Sequence, residues 1–153
     1  MIRTNKRLRL CIALLAANII FIWSNSLLPG ELSGTISRWV KELLHFAGGA
    51  DSEQGHGLLR KIGHFTEFFV LGLWLAWLNG MLQKRPYWGV AGGFLVACVD
   101  ETIQRFVPDR GPSFFDVLID TSGVTVGIIF LFVVHTVHSK RKKKLLPTEE
   151  SIL

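Results

Sequence analysis

The sequence predicts an all-α protein, a four-transmembrane-helix bundle with a short amphipathic helix in the first extracytoplasmic loop. Three observations predict it. Hydrophobic residues make up 49% of the 153-residue chain and charged residues only 19%, where a soluble domain carries about 25% charge. Four separate stretches reach the roughly 20 mostly apolar residues that a spanning helix needs. The basic residues cluster in alternate connecting segments, as they do in chains that cross a membrane repeatedly.

The spans are expected at about 8–28, 62–82, 88–107 and 114–137. The first contains CIALLAANIIFIW, the second FFVLGLWLAWL, the third GVAGGFLVACV and the fourth VTVGIIFLFVV. Their middles are apolar on every side, with no polar stripe at helical spacing. Such helices lie in lipid or in a very large core, and a chain this short cannot supply that core for four helices at once. Mean hydropathy is +0.36. The composition excludes intrinsic disorder, which needs few apolar residues and high net charge. Two cysteines exclude a disulfide-framed miniprotein. Cys11 and Cys98 sit at different depths and read as small apolar fillers.

Charge sets the expected orientation. Arg3, Lys6, Arg7 and Arg9 precede the first span, Lys84 and Arg85 link the second and third, and Lys140, Arg141, Lys142, Lys143 and Lys144 follow the fourth. Four spans put these segments on one side, so both termini are expected in the cytoplasm. Residues 1–139 then form one membrane domain and 140–153 a basic cytoplasmic tail. The net charge of +5 reflects topology and attraction to anionic lipid, not nucleic-acid binding. A cleaved signal peptide is the alternative for the first span, but its apolar run exceeds the usual 7–15 residues.

The 29–61 loop carries apolar residues at Leu32, Ile36, Trp39, Val40, Leu43 and Leu44. That helical spacing predicts an amphipathic helix on the outer membrane surface. The glycine-rich 48–57 stretch reads as a flexible link. No internal repeat is visible.

Ionisable residues within spans cost about 2.5–3.5 kcal/mol each on insertion scales, and here they are grouped. Lys61, His64 and Glu67 open the second span at steps of three. Asp100, Glu101, Gln104 and Arg105 close the third, with Asp100–Gln104 and Glu101–Arg105 four apart. Asp116 and Asp120 open the fourth, and Gly123 and Gly127 continue their face as a small-x-x-x-small unit that admits a neighbouring helix. Under the expected topology all of these lie in the outer half of the membrane, near Ser24, Asn25 and Ser26 at the end of the first span. Asp109 and Arg110 follow in a turn flanked by Pro108 and Pro112. A buried polar network holding the helices together is one reading. A pocket open to the outer surface, formed by Lys61, His64, Glu67, Asp100, Glu101, Gln104, Arg110, Asp116 and Asp120, is the reading the number of charges favours. His45, His56, His135 and His138 receive no role.

The order of these pieces is distinctive. A serine-rich span end before Pro29 is followed by K-x-x-H-F-x-x-[YF] at Lys61–Phe68. Next come D-E-x-x-Q-x-x-x-P-x-R at Asp100–Arg110 and D-x-x-x-[DN]-x-x-G-x-x-x-G at Asp116–Gly127. In this the chain resembles the VanZ-like family of small membrane proteins, over nearly its whole length. Phe68 stands where tyrosine is frequent, and Asp120 where asparagine is frequent. The resemblance implies a bacterial inner (plasma) membrane location. It links the chain to a family whose namesake is associated with teicoplanin resistance in Gram-positive bacteria, and it implies no particular reaction.

Two functions suit the pocket. In the first, it binds a lipid-linked precursor, a lipid head group or a lipoglycopeptide at the outer leaflet. Arg110 and Lys61 would meet phosphate or carboxylate, and the acids would meet an amine or sugar hydroxyls. In the second, it is a small membrane enzyme acting on a phosphorylated lipid-linked substrate. There His64 and the carboxylates would hold a divalent metal such as Mg²⁺ or Mn²⁺ or perform general acid–base work. No serine or cysteine stands in a nucleophile motif. A transporter subunit is the lesser alternative, because no ionisable residue marks a path to the cytoplasm.

Overall fold

A computed structural model describes residues 2–28, 53–108 and 113–145. Among them are four helices: α1 (Ile2–Ser26), α2 (Glu53–Met81), α3 (Pro86–Gln104) and α4 (Phe114–Leu145). The described residues are otherwise turns and short links, so the chain is all-helical as the apolar stretches predict. The amphipathic helix expected within 29–46 lies outside the described residues.

Among the described residues, two helices are long and apolar enough to cross a membrane, over Lys6–Ser26 and Phe114–Lys142. Polar residues interrupt the other two helices. Glu67 and Asn79 interrupt α2, and the 19 residues of α3 include Asp100, Glu101 and Gln104. α2 begins nine residues before the predicted span, so residues 53–57 are helical and not part of a flexible link. Once a turn is nucleated, extending it through Gly55 and Gly57 costs only about 1 kcal/mol each relative to alanine. At the other end of the chain, α4 runs on through the basic residues to Leu145.

The α2–α3 link is a helix stop built without glycine. Gln83 takes a left-handed φ of 53°. Its N–H donates to Gly80 O at 3.4 Å, and the Lys84 N–H donates to Asn79 O at 2.9 Å. This pair of bonds closes a helix end on a left-handed residue. α3 then starts at Pro86, whose fixed φ suits the first helical position and whose missing N–H would have no partner there.

α2 and α3 lie between α1 and α4, and α1 does not approach α4 among the described residues. The most extensive contact joins α2 to α4, and small residues make it. A methyl group added at Gly72 would meet the Val124 carbonyl, and one at Gly127 would meet the Phe69 carbonyl. At Gly123 it would stand 2.6 Å from Phe65 O. The two backbones therefore touch where side chains would hold them apart. The buried stripe of α3 reads Gly89, Gly93, Ala97, Asp100, Gln104. It is small along the stretch facing Val124 and polar at the far end. Ile22, Phe68, Leu71, Ala97, Val117, Val124 and Ile128 form the apolar core. Ile20, Phe21, Leu95, Phe130, Phe132 and Val133 face outward.

Candidate functional site

α2 and α4 both begin at one end of the bundle, where α1 and α3 finish. They run parallel there, and successive steps of four residues on α2 are matched by steps of four and then three on α4. Arg60 Nη2 donates to Asp116 Oδ2 at 3.2 Å. One turn deeper, His64 Nδ1 stands 3.8 Å from Asp120 Oδ1. One turn deeper again, Phe68 lies against Gly123. Spacings of three and four residues are what one face of a helix imposes. It makes a charged pair, a polar pair and a packing contact into successive rungs of one ladder.

α3 comes in from the other direction and supplies a second carboxylate. Asp100 Oδ2 lies 3.8 Å from the same His64 Nδ1 and accepts a hydrogen bond from Gln104 Nε2 at 2.7 Å. Gln104 also donates to Ser26 Oγ at 3.3 Å, which ties α3 to the end of α1. Asn25 Nδ2 donates to Glu67 Oε1 at 2.5 Å, which ties α1 to α2. The Ser113 N–H donates to a Glu101 carboxylate oxygen, which closes the start of α4 onto α3. Ser26, Asp100, Gln104, Asp116 and Asp120 are all buried. Every helix therefore contributes at least one polar group to the same end of the bundle.

The structure brings together seven of the nine residues singled out from sequence: His64, Glu67, Asp100, Glu101, Gln104, Asp116 and Asp120. Lys61 is exposed, and the basic residue that reaches a site carboxylate is its neighbour Arg60. Steps of three drift around a helix by about 60° each, so Lys61 falls off the face that His64 and Glu67 share. Arg60 stands four residues before His64 and stays on that face. The four-residue spacing Arg60–His64, mirrored by Asp116–Asp120, was the sequence signal for it. Arg110 lies outside the described residues. Glu101 meets the backbone of Ser113, while Arg105 is exposed. Ser113 carried no sequence signal, while Gly72 did, as the first of the small residues Gly72, Ala76 and Gly80 at four-residue spacing. Ser24–Ser26 did, as a polar span end of matching height, and Asn25 and Ser26 are the residues that bond.

His64, Asp100 and Asp120 each offer one ligand atom, and these three atoms lie within 4.8 Å of one another. Carboxylates accept hydrogen bonds from hydroxyl and ammonium groups and bind hard or borderline cations. An imidazole beside them adds a nitrogen donor and a proton acceptor. The site can therefore hold a cation, receive a polyhydroxylated or amine-bearing head group, or move a proton.

A family model described as VanZ/LLP1 matches residues 10–135, from the first turns of α1 to near the end of α4. No curated protein and no solved structure matches the chain. The matched stretch contains all four helices' contributions to the polar end and most of the two helices that are apolar enough to cross a membrane. On that match the chain belongs to the VanZ/LLP1 family.

Proposed function

We propose that this protein is a four-span bacterial cell-envelope membrane protein with both termini in the cytoplasm. Its carboxylate-rich centre at the outer surface receives the polar head of a lipid-linked or lipophilic envelope ligand. One observation carries the reading. Glu67, Asp100, Glu101, Asp116 and Asp120 converge with His64 and Arg60 at one end of a bundle whose flanks are apolar. Ionisable groups placed at membrane depth are retained for a purpose, since uncharged residues would join helices at lower cost. The basic run Lys140–Lys144 lies at the opposite end of α4, where anionic inner-leaflet lipid attracts it. The acids suit amine and hydroxyl groups of the ligand. Arg60, with Lys61 exposed beside it, suits a phosphate or carboxylate.

The test uses the protein in lipid nanodiscs. Its melting temperature is measured with teicoplanin and with a polyprenyl-diphosphate-linked amino sugar. Stabilisation by either, reduced in Glu67→Gln and Glu101→Gln, supports the reading. No shift with either probe sinks it. Topology is tested separately in a Cys11→Ala/Cys98→Ala background. A membrane-impermeant maleimide should label Ser52→Cys on intact cells and leave Ser139→Cys unlabelled.

The alternative is catalysis on a phosphorylated lipid-linked substrate. The observation in its favour is the His64 imidazole set between Asp100 and Asp120, an arrangement suited to general acid–base work. Under this reading His64→Gln abolishes release of phosphate or diphosphate while substrate still raises the melting temperature.

A further inference from the structure

We propose that His64, Asp100 and Asp120 bind a single divalent first-row metal ion. The site does not depend on the envelope-ligand reading.

The first observation is geometric. His64 Nδ1 lies 3.8 Å from Asp100 Oδ2 and 3.8 Å from Asp120 Oδ1. Both separations exceed hydrogen-bond length, yet both carboxylates face the same ring nitrogen. Around an ion with bonds of about 2.1 Å, tetrahedral ligand atoms stand roughly 3.4 Å apart and opposite octahedral ones roughly 4.2 Å. Three donors within 4.8 Å of one another close on an ion by moving a few tenths of an ångström each. They come from three different helices, so the spacing is a product of the fold and not of one helix's repeat.

The second observation is burial. Asp120 is 2% exposed and its Oδ1, the oxygen turned toward His64, makes no hydrogen bond. Asp100 is fully buried. An ionised carboxylate is expensive to bury unless a cation accompanies it. The Arg60 guanidinium reaches Asp116 at the rim of the ladder, one turn away from Asp120.

The third observation is support around the donors. Metal-binding side chains are held in place by hydrogen bonds from behind. Gln104, 1% exposed, donates to Asp100 Oδ2 at 2.7 Å and is itself braced by Ser26. The close α2–α4 approach at Gly123 lies one turn below Asp120 and fixes the distance between His64 and Asp120. One imidazole nitrogen with two carboxylates is a mixed donor set, which suits Mn²⁺, Fe²⁺ or Zn²⁺ better than the all-oxygen ions.

The test uses the full-length protein in detergent, stripped with chelator and titrated with Mn²⁺ alone. Electron paramagnetic resonance counts bound ions, and electron spin-echo modulation reports a coordinated imidazole nitrogen. The expected result is one Mn²⁺ per chain with ¹⁴N modulation. His64→Gln removes the modulation. Asp120→Asn lowers affinity by about tenfold or more, and Gln104→Leu, which touches no ion, lowers it about 10–100-fold. Asp116→Asn removes a charge but no donor and costs less than Asp120→Asn. The inference is overturned by any of three results: no stoichiometric ion, bound Mn²⁺ without nitrogen modulation, or equal losses in Asp116→Asn and Asp120→Asn. The last would describe an acidic surface that gathers cations without a defined site. If Asp120→Asn does not fold, His64→Gln and the wild-type modulation decide the question alone.

Discussion

Adding one methyl group at Gly127 should separate α2 from α4. An ideal Cβ there would collide with the Phe69 carbonyl and stand 3.2 Å from Gly72 Cα. Both obstacles are backbone, so no side chain can rotate away, and ordinary contact requires the helices to part by about 1 Å. Overpacking of this kind costs about 1–3 kcal/mol. The same substitution at Gly80 meets nothing within 4 Å and should stabilise α2 by about 0.5–1 kcal/mol, because alanine loses less backbone freedom in a helix. The two variants therefore move in opposite directions, by ~2–4 °C in melting temperature for each kcal/mol. The assay is thermal unfolding of the detergent-solubilised protein, followed by the fluorescence of its five tryptophans. Gly72→Ala combined with Gly127→Ala should cost less than the sum of the singles, since helices already parted accept the second methyl more easily. A Gly127→Ala protein that melts at or above Gly80→Ala would show that the two backbones do not meet, and the register from Arg60 to Gly72 would fall with it.

Three further outcomes follow from the same packing. Arg60→Met leaves Asp116 buried without its cation and should cost about 1–3 kcal/mol; a double-mutant cycle with Asp116→Asn should recover most of that as coupling. Asn25→Ala removes a 2.5 Å bond to Glu67 that joins α1 to α2, and about 1.5–3 kcal/mol of stability should go with it. Chemical denaturation of the single and paired variants checks this. Gln83→Gly relieves a left-handed residue at φ 53°, a conformation costing an L-residue about 1–2 kcal/mol. A melting temperature no lower than wild type is expected.

The two levels of the ladder show how much of the site could be read from the chain. Asp116 and Asp120 share a face because four residues make about one turn, and Asp100 and Gln104 share one for the same reason. Gly123 and Gly127 lie on that face with Asp120, so their role in close packing was legible too. The partner of each was not. Lys61 and Arg60 are equally basic and adjacent, and only the rotation of α2 against α4 selects Arg60. Gly72 opens a small-residue series with Ala76 and Gly80 at four-residue spacing, which marks a face for close packing, but it meets Val124 and Gly127 only because α4 arrives opposite.

The sequence by itself determined the helical class, the apolar stretches, the concentration of polar residues at particular helix ends and the faces they occupy. All of these are local consequences of side-chain chemistry and a 3.6-residue period, and they need no knowledge of neighbours. The tertiary structure decided that α2 and α4 run in matched register and that α3 enters from the opposite direction. It also set the His64 imidazole between Asp100 and Asp120, 3.8 Å from each. Those facts depend on which backbones can touch. Contact between backbones is fixed by the shapes of two helices together, and no single helix carries it.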